Sequence, residues 1–181
     1  SENDAIAFKR MYGVRPLVLA NGVDNEEFNA VTDEEIQKIK LKYHLHGRVV
    51  LFMGLLAYKP NKEAINFLIH DVFPVVKREC PEAKLSAIGG HLNFEKEWFI
   101  NPGNIPFEEV PAFIKACDVC VAPIFSGSGT RLKILEYLAA AKPVVSTTKG
   151  AEGIAVKDGE NIILADNTHL FAEKIIYHLK N

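Results

Sequence analysis

The chain reads as an α/β protein built on a doubly wound, mainly parallel sheet, and three observations carry that reading. Apolar runs of strand length alternate with stretches of helical periodicity from about residue 32 to the C-terminus. Three of those runs end in glycine or proline: Arg48 to Gly54, Lys84 to Gly90 and Val119 to Pro123. The third leads through Ser126-Gly127-Ser128-Gly129 into a helical pattern and then, after Lys142-Pro143, into a further apolar run from Val144 to Thr147. Strand, glycine loop, helix and strand in this order is how a Rossmann-like sheet presents backbone N–H groups to a phosphate.

Each element follows from local pattern. Ser1 to Gly13 reads as a short polar helix with Ala5, Phe8 and Met11 at helical spacing, and Arg15 to Ala20 as a short strand closed by the turn signal Asn21-Gly22. Thr32-Asp-Glu-Glu starts a helix to about Tyr43, its acids near the positive end of the dipole. After the Arg48–Gly54 strand, Pro60-Asn61 opens a helical pattern through Ile65, Leu68, Ile69, Val72 and Val76, which Pro74 interrupts, predicting a kink or two short helices. Pro81 ends it before the Lys84 strand. Asn93 to Ile100 reads as a short helix held down by Phe94, Trp98 and Phe99, Asn104 to Phe107 as a short strand, and Glu108 to Ala116 as a helix. Beyond the central unit, Lys149 to Gly153 is a loop, Asp158-Gly159 a turn and Asn161 to Leu164 a short strand; Asp166 or Thr168 caps a last helix with Phe171, Ile175 and Leu179 on one face.

Composition narrows the function classes. With 181 residues, 48% of them hydrophobic and 24% charged, the chain suits one soluble globular domain. A formal net charge of -2 gives no basis for a nucleic-acid partner. No apolar stretch reaches membrane-spanning length, and Ser1-Glu-Asn-Asp4 is not a signal-peptide pattern. Three cysteines, an odd and sparse count, suit a reducing, cytoplasmic compartment. Cys117-Asp-Val-Cys120 is formally a C-x-x-C pair, but it has no second pair and falls at the entry to a buried strand, so it is read as small apolar side chains rather than a metal or redox site. With no Asp-x-Asp motif and no His/Cys cluster at ligand spacing, neither a bound metal nor a cofactor is expected.

In a doubly wound sheet the carboxyl ends of the strands form the ligand crevice, so Gly54, Gly89 and Gly90 should face it together with the glycine loop. By itself that loop fits neither the dinucleotide fingerprint nor the Walker loop, and a tight strand–helix turn explains it as well. Glu136 lies four residues after Leu132 and three before Ala139, on their helical face. A carboxylate there can accept both hydroxyls of a ribose, or snorkel to water. Lys59, Lys62 and Arg131 are candidate cations for an anionic group, although a single lysine is more often a solvated surface residue. His91, beside Gly90, is at most pocket-lining.

The segments Gly129-Thr-Arg-Leu-Lys-Ile-Leu-Glu136, Ala141-Lys-Pro-Val-Val-Ser146 and Lys149-Gly-Ala-Glu-Gly153 resemble the donor-binding motif of the group 1 glycosyltransferases, retaining enzymes of GT-B fold that use nucleotide sugars. The resemblance runs from about Leu17 to Leu179. Val23-Asp-Asn-Glu-Glu-Phe28 resembles the family's crossing between its two domains, which implies that residues 1–20 are a remnant of an N-terminal domain and residues 21–181 the nucleotide-sugar-binding half of a GT-B enzyme. It implies that Glu136 holds the ribose, that backbone around Ile105 to Phe107 meets the base, and that Gly127, Ser128, Gly129, Thr130 and Leu132 surround the donor. The N–H groups of Ser128 to Arg131, with Arg131 and Lys62 or Lys59, would clamp the leaving diphosphate without a metal. Two positions depart from the family pattern: Ser128 stands where many members carry a glutamate near the donor sugar, and Leu55 where many carry an arginine. The implied partners are a UDP- or GDP-sugar, an acceptor-binding N-terminal domain, and a polysaccharide, lipopolysaccharide or glycolipid acceptor, with peripheral membrane association of the full-length enzyme. A nucleotide-binding module without catalysis and a GT-B nucleotide-sugar epimerase using His91 or Glu152 are the alternatives.

Overall fold

The computed structural model describes residues 2–181. Ser1, the first residue of the expected N-terminal helix, lies outside them; the helix itself, α1, spans Glu2–Tyr12. Then follow α2 (Asn25–Asn29), α3 (Asp33–Lys42), β1 (Val49–Met53), α4 (Lys59–Phe67), a π-helical turn (Leu68–Val72) and α5 (Phe73–Glu79). The second half holds β2 (Lys84–Ile88), β3 (Phe99–Gly103), a 3₁₀ turn (Phe107–Glu109), α6 (Val110–Ala116), β4 (Val119–Ala122), α7 (Leu132–Ala139), β5 (Val144–Ser146), β6 (Ile163–Leu164) and α8 (Thr168–Lys180). The strands form one six-stranded sheet in the order β3-β2-β1-β4-β5-β6, every pairing parallel. The fold class expected from the sequence is the one observed.

The pleat sends alternate side chains to two apolar layers. Val50 and Phe52 pack with Ile65, Leu68, Phe73 and Val76 and with Phe171, Ile175 and Leu179 of α8. Val49 and Leu51 pack on the other face with Ile39 of α3, Phe113 and Ile114 of α6, and Ile134 and Tyr137 of α7. Both faces are thus covered, as an all-parallel sheet requires.

Local chemistry accounts for most boundaries. Thr32 caps α3 through a capping box, its Oγ1 accepting from Glu35 N at 3.3 Å while Glu35 Oε2 accepts from Thr32 N at 2.8 Å. The interruption expected at Pro74 is the π-helical turn Leu68–Val72 ahead of it: a proline cannot donate to residue 70, and widening the preceding turn removes the clash with that carbonyl. Cys117 and Cys120 are free and fully buried, and burial pushes both thiols well up. Cys117 Sγ sits 3.3 Å from Phe113 O, a packing role like that read from the sequence.

Four expectations are corrected. Residues 15–20 form no strand: no neighbour pairs with them among the described residues, and Leu17 and Leu19 are 86% and 82% exposed. Residues 93–98 are not helical, and the strand lies at Phe99–Gly103 rather than at residues 104–107. Asn101 enforces this path, donating to Ala87 O (2.7 Å) and Gly90 O (2.9 Å) and accepting from Leu92 N (2.8 Å), while Pro102 is tolerated because β3 is an edge strand. The cap of α8 is Asn167, which accepts from Leu170 N at 2.9 Å; Asp166 is occupied by Thr148, whose N and Oγ1 donate to it at 2.7 and 2.6 Å.

One part-buried bond fixes α7 against β1: Met53 N donates to the Tyr137 hydroxyl at 2.9 Å. Tyr137→Phe leaves that part-buried N–H without its hydroxyl partner and is expected to lower unfolding stability in urea by about 1 kcal/mol. By contrast, the Ser86 hydroxyl in β2 is buried with no hydrogen-bond partner among the described residues. Ser86→Ala is expected to leave the urea midpoint unchanged or raise it.

Candidate functional site

Strand order reverses between β1 and β4, so the chain leaves these neighbouring strands onto opposite faces of the sheet: β1 runs to α4, and β4 runs through the glycine loop to α7. Their carboxyl ends enclose a crevice at a topological switch point. Gly54 and Gly89 form its floor. Gly54 N donates to Ile88 O at 3.0 Å, and Gly89, at φ 102°, lies so close to Gly54 that a Cβ on it would collide with the Gly54 carbonyl oxygen. Gly54 has φ 151°, and a Cβ there would lie 2.6 Å from Lys133 Nζ and 2.8 Å from Asn61 Nδ2. Gly90 follows at φ 142°, above Leu56. Leu55 is exposed.

The glycine loop forms one wall. Ser126 Oγ donates to Glu63 Oε2 at 2.7 Å, tying the loop to α4, and Gly127 at φ 87° fits beside Pro60 and the Tyr58 hydroxyl. The Arg131 guanidinium folds back onto its own loop and donates to Ser128 O at 2.8 Å, Ser126 O at 3.3 Å and Gly129 O. The N–H groups of residues 127–131 donate to no backbone group among the described residues. Lys59 and Lys62, in the first turn of α4, are exposed, Lys59 lying 3.9 Å from Glu63. Leu132 and Thr130 lie on the outer side, Thr130 lining a separate recess with Leu19 and Ile154.

Lys133 was not among the residues singled out from sequence. It is partly buried, and its ammonium reaches across the ends of the strands from α7 to α4, donating to Asn61 Oδ1 at 2.8 Å and lying 4.4 Å from the centre of the Phe52 ring. Burial pulls it down to about 7, repulsion from Arg131 adds to this, and Glu136 opposes it. The readable signal was its spacing: it lies four residues before the buried Tyr137, on the face of α7 that turns to the sheet.

Glu136 is also partly buried, one turn further along α7. It faces a recess of about 260 Å³ lined with Glu27, Phe28, Phe107 and Val110. Burial, then the charge of Glu27, raises its carboxyl above the ordinary value, while Lys133 lowers it. Phe107 is 74% exposed at the rim and Ile105 is partly buried behind it. Glu27, on α2, is a second residue that sequence pattern did not mark. His91 lies apart, its ring against Gly103, and Glu152 is bonded to Lys149. Among the described residues no group of three or more His, Cys, Asp and Glu side chains could hold a metal.

The family described as Glycosyl transferases group 1 matches residues 47–181. The chain is 32% identical over 152 residues to an uncharacterized protein in the cps region of Klebsiella pneumoniae, covering 77% of this chain and 39% of that protein. It is 27% identical over 165 residues to the mannosylfructose-phosphate synthase of Agrobacterium fabrum, covering 80% and 35%. Its fold is similar to that of Anabaena HepE, crystallised in complex with UDP and glucose (TM-score 0.79, 17% identity, 100% of this chain and 52% of that one). It also resembles the C-terminal domain of the group 1 protein LpcC from Francisella tularensis (TM-score 0.66, 21% identity, 88% and 89%). The chain therefore spans about half of HepE and less than half of these curated relatives, and its sheet is that of one half of a GT-B glycosyltransferase. With the match running from residue 47 to the last residue and the fold agreeing throughout, this chain belongs to the group 1 glycosyl transferases.

Proposed function

We propose that this chain is the donor-binding half of a retaining, nucleotide-sugar-dependent hexosyltransferase. The observation that carries the reading is the convergence, at one end of the sheet, of the Gly54–Gly89 floor, the glycine loop and the half-sheltered Glu136. In this reading the recess beside Glu136 takes the nucleoside, with Phe107 at its rim and Ile105 nearby toward the base, and the Glu136 carboxylate accepts from the ribose hydroxyls. The diphosphate then extends over Gly54, Gly89 and Gly90 to the N–H groups of Gly127 to Arg131. Lys59 and Lys62 approach it from α4, and Arg131 keeps the loop in shape. In the reaction the bond from sugar C1 to phosphate oxygen breaks, a bond from C1 to an acceptor oxygen forms on the same face, and the acceptor proton is released. The developing diphosphate charge falls on these N–H groups and cations, with no protein-held metal. HepE has been crystallised with UDP-glucose as well as with UDP and glucose, which supports a UDP-sugar ahead of a GDP-sugar.

In the same reading residues 1–20 belong with an N-terminal acceptor domain. Ile6, Phe8, Met11 and Tyr12 of α1, together with Leu17 and Leu19, are exposed large apolar side chains, the mark of a surface that meets another protein body. The acceptor is proposed to be a cell-surface polysaccharide, lipopolysaccharide or glycolipid, built on the cytoplasmic side by a full-length enzyme that touches the membrane peripherally. The sparse, free cysteines fit that compartment, and no helix among the described residues is long and apolar enough to cross a membrane.

Calorimetric titration of this chain with UDP, GDP and ADP tests the site. Saturable binding of one nucleotide is expected, weakened tenfold or more in Glu136→Ala, since losing both ribose contacts costs about 1.5–3 kcal/mol. Equal affinity in the variant removes the ribose role of Glu136. Incubated with UDP-[14C]glucose and a glycolipid acceptor, the chain alone is expected to transfer no label above background; robust transfer overturns the two-domain reading.

A further inference from the structure

A partly buried ammonium normally sits against a carboxylate, yet Lys133 forms no ion pair among the described residues. Its polar partner is the Asn61 amide, and it lies against the Phe52 ring and the bare backbone of Gly54. Holding a cation there costs stability that a neutral side chain would avoid. The position itself is informative. Nζ lies at the carboxyl end of β1, 2.6 Å from where a Cβ on the floor glycine Gly54 would stand and over the Phe52 ring. The Arg131 guanidinium is spent instead on loop carbonyls.

We propose that Lys133 is the residue that meets the diphosphate of the nucleotide sugar, exchanging its bond to Asn61 for one to a phosphate oxygen. The inference rests on the nucleotide reading of the crevice and adds to it the residue that reads the phosphates. Such an exchange carries a proton. The charged groups acting on Lys133 are Arg131 and Glu136 on its own helix, while α4 and β1 meet it with the uncharged Asn61, Phe52 and Gly54. With its ordinary value pulled down to about 7, most of the side chain is neutral at pH 8. A diphosphate beside it favours the ammonium, so binding draws a proton from the buffer, and affinity rises as the pH falls toward 7.

The test is calorimetry at pH 8 with UDP and with uridine, in two buffers of different ionisation enthalpy, on the wild-type chain, Lys133→Met and Lys133→Arg, each checked for an unchanged circular-dichroism spectrum. Wild type is expected to prefer UDP over uridine and to take up about one proton per UDP bound. In Lys133→Met the preference for UDP should fall tenfold or more and the proton uptake vanish, with uridine affinity unchanged. Lys133→Arg should recover part of the preference without the uptake, because arginine is always charged. An unchanged UDP-to-uridine ratio and unchanged uptake in Lys133→Met overturn the role of Lys133 and leave the nucleotide site standing. Failure of the wild-type chain to bind UDP or uridine removes the nucleotide reading and this inference with it. A misfolded Lys133→Met leaves Lys133→Arg to decide, since wild-type proton uptake persisting there contradicts the proposal.

Discussion

The handedness of parallel crossovers is the constraint on which the rest depends. A right-handed connection leaving β1 toward β2 and another leaving β4 toward β5 must lie on opposite faces of the sheet. The two neighbouring strands therefore part company at their carboxyl ends, and α4 and α7 begin on either side of the gap. Everything at the site is fitted to that gap. Glycines at 54 and 89 let two chain segments close its floor in backbone contact, the Tyr137 hydroxyl ties α7 to the end of β1, and the Ser126–Glu63 bond ties the loop before α7 to the first turns of α4. Side chains that would otherwise be far apart in the chain, such as Asn61 and Lys133, are brought within 2.8 Å of one another.

What the sequence disclosed was what local pattern encodes. The buried strands are nearly continuous apolar runs, and the prolines and glycines that end them are visible as letters, so the sheet, the glycine loop and the interruption before Pro74 could be read in advance. The segment from Asn93 to Phe107 could not. Phe94, Trp98 and Phe99 have helix-like spacing, but Phe94 and Trp98 pack against Phe73 and Phe99 from an irregular loop held by Asn101, and only tertiary placement at the sheet edge makes Pro102 acceptable in a strand. Arg15 to Ala20 fails for the complementary reason. Its alternation suits a strand, but a strand requires a partner, and none of the described residues offers one. At the site, Glu136 and the glycines were legible because they stand in a motif. Lys133 and Glu27 were not, because their significance comes from what they face across the fold: Asn61 for one, Glu136 for the other.

The electrostatics of α7 are unusual because two opposite charges one turn apart act on each other yet form no ion pair among the described residues. Lys133 turns over the strand ends to an amide, while Glu136 turns to a recess it shares with Asp24 and Glu27. Burial is the largest effect on both, moving each toward its neutral form: the lysine down, the glutamate up. A helix selected for stability alone would place apolar residues here, or would join Lys133 and Glu136 as a surface pair. Keeping them apart places a cation and a carboxylate about one helical turn, roughly 5 Å, apart along α7, each open to a partner of its own. A nucleoside diphosphate carries a partner for each: a ribose with two free hydroxyls, then phosphates. On the function proposed above, these two residues would meet the phosphates and the ribose hydroxyls respectively, and that use would offset the stability that a partly buried lysine and a partly buried glutamate forgo on one short helix.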